Sequence, residues 1–369
     1  MYKEIIQPLF FRLDPEKAHH LAVTAGERLA SLPVVNRILT KRYIGKWPNL
    51  EQFCLGMPFP LPVGVAAGFD KNARHTHLLR ASGFGFAEYG SISALSSVGN
   101  PAPRLFRLPS DRGLVNRMGL NNEGAETICR RISTLKYRSP YLFHQFPVGI
   151  NIAKTHSPEI TGDAAIRDYI TSYLEAKSTA GYITLNISCP NTREGKTFED
   201  RHALKDLIDG VKGVVEPEDP PLLVKFSPDS STKELDAMLD VCEEQNVSGY
   251  VLSNTSAGRE GLVTPEKNVN DAGAGGLSGA PLFEGNIARV MHVRRQVPKS
   301  RVIIGCGGID APERAVRVLK AGANLLQVYT GFIYEGPSLL PSIHSAISDA
   351  VIKNGHRSMR TWLAQHHPE

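Results

Sequence analysis

Tyr182-Ile183-Thr184-Leu185-Asn186-Ile187-Ser188-Cys189-Pro190-Asn191 begins as a buried strand and ends as a chemical toolkit. Its first residues are aromatic, β-branched and apolar, the composition that fits a pleated, covered surface. From Asn186 to Asn191 it supplies two amides and a thiol within six residues. Working outward, Leu61 to Ala67, Phe86 to Ile92 and Pro147 to Ala153 precede it as similar runs. Leu222 to Phe226, Tyr250 to Asn254, Val302 to Gly305 and Leu325 to Thr330 follow, making eight in all. Longer segments of helical pattern separate them, which is the signature of a parallel sheet with crossover helices. Eight strand–helix units predict an α/β fold closed into a (β/α)8 TIM barrel. The chain's 369 residues exceed the ~250 of such a barrel, leaving room for a small appendage.

The ends of the runs share a property. Gly68-Phe69-Asp70-Lys71-Asn72, Lys225-Phe226-Ser227-Pro228 and Ser253-Asn254-Thr255 are polar tips on apolar strands, like the tip at 186–191. A single polar tip does no more than terminate a strand, but repeated amides and lysines at successive tips predict one shared mouth, where barrels of this kind place their active sites. Gly307-Gly308 after the seventh run and Tyr329-Thr330-Gly331 after the eighth stand where barrels bind phosphate through backbone N–H groups. The alternative there is an ordinary tight turn. Lys225 offers a cation to stabilise developing negative charge, or an amine for a Schiff base. Cys189 is a candidate base: a free thiol has a pKa of ~8.5 and needs a polar or electropositive setting to act near neutrality. Its alternative is plain packing.

Residues 1–45 read differently from 46–369, the barrel. Asp14-Pro15-Glu16 supplies the start signals of a helix. Ile5, Ile6, Leu9 and Phe10 precede it, and Ala18, Leu21, Ala22, Ala25, Leu29 and Ala30 recur at helical spacing on one face. Pro33 restarts the pattern through Val34, Val35, Ile38 and Leu39. Two short amphipathic helices are expected, packed on the barrel or lying on a lipid surface. Further on, Arg130 to Pro147 reads as a helix end and a surface loop, and the glycine-rich Val269 to Gly276 as a mobile stretch.

Composition narrows the class. Hydrophobic residues make up 41% and charged residues 21%, ordinary for a globular protein. The net charge of +5 comes without a Lys/Arg block, so no nucleic-acid partner is expected, while weak attraction to anionic lipid or an anionic substrate is compatible with it. Cys54, Cys129, Cys189, Cys242 and Cys306 are odd in number and never paired at ligand spacing, so neither a disulfide framework nor a metal site is expected. No secretory signal opens the chain. No run of ~18 apolar residues occurs, so any membrane contact would be peripheral.

Six stretches, in order, resemble the dihydroorotate dehydrogenase family: Ala66-Ala67-Gly68-Phe69-Asp70-Lys71, Asn116-Arg117-Met118-Gly119-Leu120-Asn121-Asn122, Asn186 to Thr192, Ser253-Asn254-Thr255, Gly275-Gly276-Leu277-Ser278-Gly279 and Ile304-Gly305-Cys306-Gly307-Gly308-Ile309. The match spans most of the barrel. Phe11-Arg12-Leu13-Asp14-Pro15-Glu16-Lys17-Ala18-His19 resembles the extension of class 2 members, which hand electrons to a membrane quinone. The resemblance implies an oxidoreductase that turns (S)-dihydroorotate into orotate in pyrimidine biosynthesis, with FMN as cofactor. Dihydroorotate, orotate, a membrane quinone and a peripheral membrane surface would be its partners, on the cytoplasmic side of the cell membrane.

Position by position, the resemblance implies flavin contacts from Ala67, Lys71, Ser91, Asn151, Asn186 and Lys225, and from Ser253, Gly279, Gly308, Tyr329 and Thr330. Substrate contacts would come from Lys71, Asn116, Gly119, Leu120, Asn186, Asn191, Asn254 and Thr255. Cys189 would take a proton from C5 of dihydroorotate while hydride leaves C6 for N5 of the flavin, and Lys225 would stabilise the reduced ring. Residues 1–45 would admit quinone between their helices. Residue 189 departs from class 2, where serine is usual and cysteine belongs to class 1. A class 1 enzyme using fumarate or NAD therefore stays open, as do a Schiff-base aldolase using Lys225 and a non-catalytic membrane-associated barrel. His19 either lines a quinone passage or sits on a helix surface.

Overall fold

A computed structural model describes residues 2–188 and 198–367. Eight parallel strands close into a barrel: β1 (Val63–Val65), β2 (Phe86–Ile92), β3 (Val148–Ile152), β4 (Tyr182–Asn186), β5 (Leu222–Phe226), β6 (Gly249–Leu252), β7 (Val302–Cys306) and β8 (Leu325–Val328). Each strand pairs with its neighbours in sequence, and β8 returns to β1. Six fall inside the runs read from the sequence, while β6 begins one residue before its run, at Gly249, and β7 ends one residue beyond its run, at Cys306.

Alternation along each strand explains why the barrel has a dry floor and a polar mouth. Side chains two apart share a face, so Phe86 and Glu88, Tyr182 and Thr184 and Asn186, Leu223 and Lys225, Ile304 and Cys306, and Leu325 and Gln327 are inner-face series running from floor to tip. The apolar members form one cluster with Phe59. Phe59 comes from the hairpin Gln52–Phe59, which caps the floor, its ring edge-on to Phe86 at 5.2 Å. Space for these rings is made by Gly64 and Gly149, where a Cβ would stand 2.4 Å from the Phe86 ring and 2.1 Å from the Tyr182 ring. The larger cluster lies between the barrel and its surrounding helices.

Two parts of the chain differ from the sequence expectations. Arg130 to Pro147 is mostly helix, Ala125–Arg138 followed by Pro140–Gln145, because Pro140 starts a new helix rather than ending one. The glycine-rich stretch is ordered too: Glu266–Ala272 is helical, and Gly276–Gly279 pairs antiparallel with Gly113–Asn116, itself paired with Leu105–Leu108. This three-stranded sheet stands on the rim, outside the barrel.

Ahead of the barrel, a π-helical turn (Tyr2–Ile6) leads into α1 (Gln7–Phe11), α2 (Pro15–Ala30) and α3 (Pro33–Tyr43). Asp14 caps α2 by accepting the Lys17 N–H at 3.0 Å. The orientation of α2 corrects the amphipathic reading. Ala18, Val23 and Ala30 are buried, whereas Leu21, Ala22, Ala25 and Leu29 of the expected apolar face are exposed. Gly26 lets α2 come down on Leu78, whose methyl carbon would be 2.7 Å from a Cβ there. No helix among the described residues is long and apolar enough to cross a membrane.

Candidate active site

A cavity of about 420 Å³ lies between the strand tips and α2. Of the residues expected for flavin, Ala67, Lys71, Ser91, Asn186, Lys225, Ser253, Gly279, Gly308, Tyr329 and Thr330 line it; of those expected for substrate, Asn116, Leu120, Asn254 and Thr255 also do. Asn151 lies one layer below and reaches the wall through Ser91, whose hydroxyl donates to its Oδ1. Gly119 sits beside the cavity with φ +70°, packed on Asn100. Cys189 and Asn191 lie outside the described residues.

The amides are fixed in a chain. Asn254 Nδ2 donates to Asn186 Oδ1 at 3.1 Å and to the Ser188 carbonyl at 2.8 Å. Asn186 Nδ2 donates to Ser91 Oγ at 2.9 Å, and the Tyr169 hydroxyl holds the Asn186 carbonyl at 2.8 Å. Beyond Ser91 and Asn151 the chain ends on Glu88, which accepts from Asn151 Nδ2 at 2.8 Å, Gln327 Nε2 at 2.7 Å and the Tyr182 hydroxyl at 3.2 Å. Glu88 is fully buried. Neither it nor Gln327 was a candidate from the sequence. The signal was there, since a charged residue on the inner face of a covered strand needs partners from other strands.

Lys225 is buried at the tip of β5, and no ion pair of its ammonium occurs among the described residues. Ser253 Oγ and Gln327 Oε1 are buried without partners among the described residues, and both residues line the cavity. Buried polar atoms left open in this way suit a bound polar molecule. Two glycines shape the opposite wall. Gly279 has φ +100° and a Cβ there would meet the Arg112 carbonyl at 2.4 Å; Gly308 has φ +72° and a Cβ would meet Phe283 Cα at 2.6 Å. Thr330 begins the helix Thr330–Glu335, and its hydroxyl lies 2.8 Å from Ser278 Oγ. Bare backbone beside a helix start favours an anion. A flavin phosphate with its polar ring fits these groups.

The roof belongs to α2. His19 Nε2 lies 3.0 Å from the Phe69 carbonyl and its ring stands edge-on to Phe69 at 5.0 Å. Burial and the nearby Lys71 pull its pKa down to about 3, so the imidazole is neutral. Phe69 in turn meets Tyr329 at 5.4 Å. His19, Val23 and Glu16 all line the cavity, so His19 does not simply sit on the helix surface. Asp70, fully buried, is pushed up by burial although it accepts the Arg74 and His75 N–H groups at 3.0 and 2.8 Å; those bonds set the turn that presents Lys71.

A closed barrel whose strand tips gather amides, a buried lysine and a glycine-walled anion cradle is an enzyme-type ligand barrel. The chain belongs to the dihydroorotate dehydrogenase family, whose model matches residues 49–351. It is 37% identical over 363 residues to a dihydroorotate dehydrogenase (quinone) of Thermobifida fusca, covering 97% of this chain and 95% of that protein. A second protein of that name, from Nocardia farcinica, is 38% identical over 375 residues, covering 100% and 97%. Among solved structures, the DHODH of Eimeria tenella in complex with ferulenol matches with a TM-score of 0.85 at 27% identity, over 98% of this chain and 99% of that one. Its ligand-free form matches with 0.86 at 28% identity, over 96% and 100%.

Proposed function

We propose that this protein oxidises dihydroorotate to orotate with FMN as cofactor and delivers the electrons to a membrane quinone. The observation that carries the reading is the single cavity in which the residues expected for flavin and those expected for substrate meet under α2. The relatives bear the quinone-linked name, which favours quinone over fumarate or NAD as acceptor.

When bound, the flavin supplies hydride acceptance and onward electron transfer. The chain's own residues do the rest. Gly279, Gly308 and the Thr330 helix start hold the phosphate, while Ser253 and Gln327 offer open hydrogen-bonding atoms to the ring. Lys225 places a cation where negative charge develops. Asn116, Asn254 and Thr255 orient the pyrimidine, and Lys71 faces its carboxylate. Asn116 is steadied by donating to the Gly276 carbonyl at 3.1 Å. Cys189 takes the C5 proton. Residues 1–45 form the quinone-access segment and 46–369 the catalytic barrel.

The protein works peripherally on the cytoplasmic side of the cell membrane, and the exposed apolar side chains of α2 and α3 support the membrane part of this reading. Anaerobic mixing of the purified protein with dihydroorotate should bleach its flavin spectrum, and a soluble quinone should restore it. Cys189→Ala should keep the flavin and lose most bleaching at neutral pH. A preparation without flavin, or one that dihydroorotate leaves yellow, overturns the reading.

A further inference from the structure

From Arg28 to Lys46 the chain has five basic residues, Arg28, Arg37, Lys41, Arg42 and Lys46, and no acidic one. That excess equals the +5 of the whole chain, so the remainder balances to zero. The whole net charge of the chain therefore falls in this one stretch. On α3 the exposed positions after Pro33 are Val34, Arg37, Ile38, Lys41 and Arg42, which repeat at three- and four-residue steps and form one outward stripe. On α2 the exposed positions are Lys17, His20, Leu21, Ala22, Thr24, Ala25, Arg28 and Leu29.

The two acidic residues of α2 both turn inward. Glu16 is taken by Arg104, and Glu27 accepts the Leu78 N–H at 2.9 Å. The outer face of the two-helix layer thus presents cations interleaved with Leu21, Leu29, Leu32, Val34 and Ile38, which are 51–72% exposed.

Helix dipoles account for part of this pattern. Arg28, Lys41 and Arg42 stand in last turns, where a cation is favoured. They do not account for Arg37 in the middle of α3, nor for Lys17 in the first turn of α2, where the dipole opposes a cation. A protein partner with an acidic face would match the charge, but it leaves unexplained why five large aliphatic side chains stand more than half exposed between the cations. Aliphatic residues that enter the acyl boundary, ringed by basic residues at headgroup level, match a bilayer with negative headgroups.

We infer that the outer face of α2 and α3 docks selectively on anionic lipid, so that negative headgroups, and not the bilayer's apolar interior alone, bring the quinone side of the protein to the membrane. This rests on the reading of residues 1–45 as the quinone-access segment. Sedimentation of the flavin-loaded protein with vesicles of neutral phosphatidylcholine, and with vesicles containing phosphatidylglycerol, tests it.

Strong binding is expected only to the anionic vesicles, with release on raising salt. The combined Arg37→Gln, Lys41→Gln and Arg42→Gln variant should bind them roughly a hundredfold more weakly, from about fivefold for each lost cation near the surface. Melting temperature and flavin bleaching by dihydroorotate should stay at the parent values. Should the triple variant fail to fold, Arg37→Gln alone and the salt titration of the parent protein give the same answer. Equal binding to neutral and anionic vesicles, or binding that salt leaves intact, overturns the inference. Absence of turnover with any quinone, with lipid selectivity intact, would instead overturn the acceptor reading.

Discussion

Arg104 grips Glu16 along one edge of its guanidinium: Nε is 3.0 Å from each carboxylate oxygen and Nη2 is 2.7 Å from Oε1. Glu16 starts α2, and Arg104 belongs to the rim, where its Nη1 also donates to the Val98 and Asn100 carbonyls at 2.7 and 2.9 Å. Both side chains are largely shielded, and Arg104 holds the Glu16 carboxyl below its ordinary range. The pair therefore ties the roof of the cavity to its wall. Arg104→Ala should loosen that roof and raise KM for a soluble quinone roughly tenfold, a loss of about 1.4 kcal/mol. The rate of flavin bleaching by dihydroorotate should not change. Stopped-flow bleaching and steady-state quinone assays on one preparation check this; equal losses in both would assign the pair to the substrate side.

Lys225 is expected to behave in opposite ways toward stability and toward chemistry. Burying a cation with no paired anion among the described residues is costly, so Lys225→Met should match or exceed the parent melting temperature. The same change removes the charge beneath the reacting ring and should slow anaerobic bleaching by about a hundredfold or more, the scale for losing one stabilising group in an active site. A variant that melts early and bleaches normally would make Lys225 a structural residue.

The strands and their tips were legible because alternation is local: a strand's apolar and polar inner positions lie two residues apart. What was not legible depends on distant partners. Glu88 sits inside Phe86 to Ile92 as one charged residue in a covered run, and its donors come from positions 63, 94 and 239 residues away. The rim sheet escaped notice for the same reason, since Gly276–Gly279 is short, glycine-rich and paired with a strand some 160 residues earlier. For α2 the sequence yielded an apolar face without its direction. Ala18, Gly26 and Ala30 let the helix seat closely on the barrel, and that small-residue face prevailed over the larger aliphatic one.

His344 lies fully buried in the helix Leu339–Lys353, with neither ring nitrogen bonded among the described residues. Burial pulls its pKa down to about 3. The folded value lies below the unfolded 6.5, so the neutral ring's contribution is whole above pH 6.5 and is lost as pH falls toward 3. His344→Leu should raise stability by about 1–3 kcal/mol, the usual penalty of unpaired buried polar atoms. It should also flatten the acid branch of the stability curve by up to about 1.4 kcal/mol per pH unit. Denaturant titrations from pH 7.5 to 4 measure both. No gain at neutral pH would mean that the imidazole has found a partner.

Glu27 carries the opposite sign. Its carboxylate oxygen accepts the Leu78 N–H at 2.9 Å, fastening α2 to the helix Thr76–Ala81, while burial, outweighing that bond, pushes its pKa up to about 7. An acid raised in the folded state keeps its proton where the unfolded chain has lost it, so stability is full below about pH 4.5 and falls as pH rises through 7. Glutamine at this position does not titrate and still presents a carbonyl oxygen to Leu78. The melting-temperature difference between Glu27→Gln and the parent should therefore move in the variant's favour from pH 4.5 to 7.5 and level off above. Taking the difference cancels every other titrating group, including the buried histidines, which act over much of the same range. A gap that stays constant across the window would mean that the carboxyl titrates as it does in the open chain, and that α2 is held by Arg104 and its small-residue face without a pH-sensitive fastening.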